Sequence, residues 1–105
     1  MAIIGYQINM PNIPTNMYSF NFSTSVAGGG WNFSFIFINS HWTCYATPPS
    51  NTNSDLQLIR EAAVYNNNIA WSGYPDYCLL FASPIAEPGI NDINNVSMYL
   101  IDRRS

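Results

Sequence analysis

Gly28-Gly29-Gly30-Trp31-Asn32-Phe33-Ser34-Phe35-Ile36-Phe37-Ile38-Asn39-Ser40-His41-Trp42-Thr43-Cys44-Tyr45 is the stretch that decides the fold. Trp31, Phe33, Phe35 and Phe37 fall two residues apart, so an extended backbone carries all four rings on one face. Asn32 and Ser34 take the other face, which turns apolar at Ile36 and Ile38. At a helical period the same rings would be spread around the whole circumference, so the pattern demands a strand. Asn39-Ser40 interrupts it. Beyond the interruption Trp42, Cys44 and Ala46 alternate with His41, Thr43 and Tyr45. The spacing predicts two strands folded back on each other about a short polar turn, forming the wall of a small β domain.

The flanking sequence repeats the theme. Ile4, Tyr6 and Ile8 alternate in a short first strand that Pro11 and Pro14 end, leaving 12–16 as an irregular connection. Tyr18, Phe20, Phe22, Thr24 and Val26 alternate with Ser19, Asn21, Ser23 and Ser25, the clearest half-buried strand in the chain. Gly28-Gly29-Gly30 supplies a reversal into the aromatic strand. No Lys-Ser/Thr follows these glycines and a strand comes next, so they are not a phosphate-cradling loop. Residues 47–53 read as loop. In 54–65, Ser54 with Gln57 would cap a helix and Leu56, Ile59 and Ala63 would line one, yet Leu56 and Leu58 also alternate; the residues leave helix and strand open. Residues 69–71 form a brief apolar piece. The run Tyr77–Ala82 is continuously apolar, as in a strand covered on both faces. A loop over 83–95 leads to a last strand over 96–101 and a charged tail, 102–105. Five or more short strands with regular turn signals predict an all-β domain, a small antiparallel sandwich or partly open barrel with long loops. It is one unit over 1–105: an N-terminal strand and Pro-rich connection (1–16), a β core (17–101) and the tail.

Composition bounds the partners. The chain has 105 residues, 48% apolar and 15% aromatic, enough for one core. Only 9% are charged, against roughly a quarter in an average soluble domain. There is no lysine, and the cations are Arg60, Arg103 and Arg104 against a net charge of −3. Such a chain cannot neutralise a row of phosphates, which argues against nucleic acid. A surface this poor in charge suits a protein packed against other subunits better than a free monomer. Cys44 and Cys78 lie in apolar runs and read as buried free thiols. No secretory signal and no membrane-spanning run is evident, so assembly in a cytoplasm without membrane insertion is expected.

Little chemistry is offered. His41 is the only histidine, and in a strand it points away from Cys44, so that nucleophile–base pair is disfavoured; His41 with Cys78 stays open. One His and two separated Cys make no zinc site. Among Asp55, Glu61, Asp76, Glu87, Asp92 and Asp102 nothing singles out a glycosidase pair, and Asp76 and Asp92 sit where Asx capping is the ordinary use. No cofactor is implied. Aromatic platforms do bind sugars, which makes a carbohydrate-binding module using Trp42, Trp71 and Tyr74 the alternative to core packing.

The run from Tyr18 to Phe22, then Trp31-Asn32-Phe33-Ser34-Phe35, the turn and Trp42 resembles the opening of small baseplate plug proteins of contractile-tailed phages. Leu56-Gln57-Leu58-Ile59-Arg60 is similar to their middle segment and Tyr77-Cys78-Leu79-Leu80-Phe81 to their penultimate strand. Pro88-Gly89-Ile90-Asn91-Asp92-Ile93 is similar to their closing loop. The resemblance implies an all-β structural protein without catalytic residues, in the virion's tail baseplate hub. Its partners would be other hub proteins and copies of itself in a symmetric ring. It also inclines 54–65 toward strand. Tyr65, Trp71 and Tyr74, with Pro88, Ile90 and Asp92 of the 84–95 loop, are the expected interaction residues, because aromatics beside turns are the least easily buried.

Overall fold

Among the described residues eight strands succeed one another: β1 (Ile4–Ile8), β2 (Ser19–Val26), β3 (Gly29–Ile38), β4 (His41–Thr47), β5 (Arg60–Ala63), β6 (Asn68–Ala70), β7 (Tyr77–Ala82) and β8 (Ser97–Asp102), with a 3-10 turn at Ile93–Asn95. This computed structural model describes residues 4–26, 29–49, 60–73 and 77–103. The strands form two antiparallel four-stranded sheets packed as a sandwich. The front sheet runs β2-β3-β4-β5 and the back sheet β1-β8-β7-β6. Chain order is therefore that of an up-and-down ring, interrupted where β1 passes β2 and β5 passes β6 without pairing.

The aromatic stretch folds as its period demands. Trp31, Phe33 and Phe35 are buried and Phe37 half-buried, facing Ala46, Cys44 and Trp42 across the β3–β4 ladder. β2 adds Phe20 and Phe22, which stack against Phe35, at 4.9 Å for Phe20. The back sheet answers with Tyr77, Leu79, Phe81, Met98 and Leu100. Phe35 meets Phe81 edge-on at 6.5 Å, and Trp31 meets Tyr77 at 5.0 Å. Each such ring removed from water contributes about 2–3 kcal/mol, which makes this layer the main source of stability.

The β3–β4 turn is a two-residue reversal: Ile38 pairs with His41, and Asn39 and Ser40 both have positive φ, 53° and 67°. That is the signature of a type I′ hairpin, whose twist matches the strands it joins. Across β2–β3, Val26 pairs with Gly29, so Gly29 and Gly30 belong to β3 itself. Tyr18 departs from the expected alternation. It precedes β2 and is 62% exposed at the rim, although its carbonyl still receives the Phe37 N–H at 2.7 Å in continuation of the ladder and its ring lies 6.2 Å from that of Phe37. The expectation for 54–65 is met in part: 60–63 is strand, and 54–59 lie outside the described residues. The last strand reaches Asp102, which is buried, so the charged tail begins one residue later than the sequence suggested.

One end of the sandwich is closed by two loops that lock together. Ile13, in the connection from β1 to β2, is buried, and its N–H and carbonyl both bond to the Asn94 side chain at 2.8 Å. Asn16 and Asn91 repeat the link nearer the surface.

Candidate interaction surface

Of the expected interaction residues that are described, Pro88, Ile90, Asp92 and Trp71 help to hold the domain together. Pro88 is fully buried, which removes it from any exposed surface. Ile90 is half-buried against the core. The Asp92 carboxylate accepts the Gly89 N–H at 2.8 Å, the capping use expected of it. Gly89 in turn offers its carbonyl to the Trp42 indole N–H at 2.9 Å. Pro88, Ile90 and Ile93 draw the middle of the loop in over the core, while 84–87 stay exposed, with Ile85 42% exposed.

Tyr65 is half-buried, with its ring 5.8 Å from that of His41. Trp71 is half-buried too; it packs against the core and donates its indole N–H to the Glu61 carbonyl at 3.1 Å. Its φ of 63° is unusual for a bulky side chain. Trp71→Ala would thus disturb the fold as well as any interface. Tyr74 lies outside the described residues, as do Asp55 and Asp76. The glycan platform of Trp42, Trp71 and Tyr74 loses its first member outright, since Trp42 is fully buried.

The reactive groups are separated. His41 projects on the outer side of the front sheet and its Nδ1–H donates to the Asn39 carbonyl at 3.1 Å. Cys44 projects inward, and burial pushes its thiol up from the ordinary range. Cys78 alternates with the inward Tyr77 and Leu79 and so lies on the outer side of the back sheet. His41 and Cys78 therefore sit on opposite sides of the sandwich. Both cysteines are free and buried, as read from the sequence. Among the described residues no three His, Cys, Asp or Glu side chains cluster closely enough to hold a metal ion.

The two outer faces differ sharply, which the sequence reading did not separate. On the front sheet two outward rows are largely polar, Asn21 opposite Ser34 opposite Tyr45 and Ser23 opposite Asn32 opposite Thr47, and the face turns apolar toward the β3–β4 turn at Ile36 and Ile38. On the back sheet the rows are apolar. Leu80 lies between Ile69 of β6 and Tyr99 of β8, and Cys78 lies opposite Ile101. Leu80, Tyr99 and Ile101 are half-buried and Ile69 is 55% exposed. Gly5 leaves room for this row, since a Cβ there would come within 3.3 Å of Ile101 Cδ1. The apolar run of β7 had already predicted a strand covered on both faces; within the described residues its outer face is covered only in part.

Comparison with family models, curated proteins and solved structures finds no match.

Proposed function

We propose that this protein is a structural subunit that acts by packing against other subunits, in a phage tail baseplate hub of the kind the sequence resembles. The observation that carries this reading is the contrast between the two outer faces. An apolar face centred on Leu80, with Ile69 exposed beside it, gains by being covered, whereas the middle of the opposite face, with Asn21, Ser23, Asn32 and Ser34, is at ease in water. Permanent interfaces are depleted in Lys, Glu and Asp and enriched in aromatic residues and Met, and this chain has that composition throughout. Tyr18, Met17 and Ile38, all exposed at the corner where β2 begins and β3 ends, offer a second apolar spot.

Ile69→Asp tests the reading. A charge on the exposed β6 position leaves the core untouched, so the unfolding midpoint stays near that of the parent while self-association, or retention by tail proteins, is lost. Association unchanged by Ile69→Asp would take the back sheet out of the interface.

A further inference from the structure

The interruption between β1 and β2 is a site in its own right. Among the described residues β1 pairs only with β8 and β2 only with β3, so each presents its other edge without a partner there. An unpaired edge carries a row of alternating main-chain N–H and C=O groups. Between the two edges lies a cleft of about 740 Å³, whose polar lining comes from Gln7 and Asn9 on one side and Thr24 and Ser25 on the other, with Gly29 and Gly30 at its margin. None of its lining residues among those described is charged. An adjoining hollow of about 360 Å³ shares Thr24, Ser25 and Gly30 and adds Trp31. Trp31 is buried, and its indole N–H has no acceptor among the described residues, unlike those of Trp42 and Trp71. A buried donor left in this way calls for an acceptor.

We propose that the β1/β2 seam receives an extended, uncharged peptide segment of a partner subunit, which pairs through its main chain with the free strand edges beside Trp31. The chemistry selects this occupant. Strand edges present donors and acceptors at the spacing of another strand, about 3.3–3.4 Å per residue, which an extended peptide matches and a sugar ring does not. A lining without charge leaves an ionic ligand's charges unneutralised, so a phosphate or an acidic peptide is disfavoured. Addition of one strand would also join the two sheets into one, still open between β5 and β6. The inference rests on the assembly reading only for the source of the segment.

The test uses the full chain, isotope-labelled, titrated with a set of capped neutral hexapeptides of alternating Thr and Val. The same peptides N-methylated at alternate amides, and a neutral hexasaccharide, serve as comparisons. The expected result is amide shifts confined to 5–9 and 24–31, a change in tryptophan emission, and affinity at least about tenfold weaker for the N-methylated peptides, which cannot donate to an edge. Gly30→Leu is the blocking variant. A Cβ at Gly30 meets nothing within 4 Å, so the variant folds with an unchanged urea midpoint while peptide binding drops by a similar factor. Four results would overturn the proposal: no shifts at millimolar peptide, shifts elsewhere, equal affinity for the N-methylated peptides, or preference for the hexasaccharide. A monomeric protein that still binds peptide at the seam would refute the assembly reading alone. Association sensitive to Ile69→Asp beside a silent seam would refute this one alone.

Discussion

Asn94→Ala should unfasten the closed end of the sandwich. The Asn94 amide bonds to a backbone 81 positions away, accepting the Ile13 N–H at 2.8 Å and donating to the Ile13 carbonyl at 2.8 Å. In effect one side chain substitutes for a neighbouring strand. Each neutral hydrogen bond contributes about 1 kcal/mol net, and stranding the polar groups of a buried residue adds to the loss. Water reaches the exposed side of Asn94 and returns part of it. The expected cost is about 2 kcal/mol, which lowers Tm by roughly 8–15 °C in a domain of this size. Urea denaturation reads the change as a lower midpoint at unchanged slope, and hydrogen exchange at the Ile13 amide should accelerate. Asn94→Asp keeps the acceptor but turns a carboxylate oxygen toward the Ile13 carbonyl. It should cost at least as much at neutral pH and recover as the carboxyl protonates, below about pH 4. A loss under about 0.5 kcal/mol for Asn94→Ala would refute the view that Asn94 ties the β1–β2 connection to the core.

Three further outcomes are expected. Ser40→Gly should stabilise the protein by about 0.5–1 kcal/mol, because Ser40 sits at φ 67° in a turn that favours glycine there; an unchanged or lower urea midpoint would contradict this. Trp42→Phe should cost about 2–3 kcal/mol, through lost buried volume and an unpaired Gly89 carbonyl, and equilibrium denaturation measures it. Cys44 should resist a thiol reagent in the native state and react on unfolding. Burial raises its folded pKa, so above the ordinary thiol value of about 8.5 the unfolded chain releases its proton first. Stability attributable to Cys44 therefore falls as pH rises beyond that point, and Cys44→Ala should flatten the alkaline limb of the pH–stability curve.

The strands were readable because their signal is local. Alternation at period two in Trp31 to Phe37 is written within a few residues and needs no knowledge of the rest of the fold. The same locality explains the misplacements. Pro88 and Ile90 have the composition of an outward loop, and only the contact with a core built from distant strands draws them in. Trp42 is buried because Phe37 flanks it across the hairpin at 5.3 Å, and because Phe20 at 5.6 Å and the Gly89 carbonyl reach it from outside any local window. The asparagines carry a signal that their abundance alone does not decode. Asn16, Asn39 and Asn67 hold left-handed backbone, which asparagine tolerates better than most residues. Asn66, Asn68 and Asn94 bond to the backbones of Ser83, Ala63 and Ile13. With almost no charged side chains available, asparagine supplies the polar links between loops. The apolar outer face was visible in part: Cys78 and Leu80 break the alternation of β7, but only register with Ile69, Tyr99 and Ile101 turns that break into a surface.

The central claim is that the back sheet is an interface. Its most direct test is the mass of the purified chain in solution from about 1 µM to about 1 mM, the range over which weak and moderate association becomes visible. The account predicts a discrete oligomer, or mass that climbs with concentration, and its collapse to monomer in Ile69→Asp. A monomer at every concentration, indistinguishable from Ile69→Asp, would contradict it.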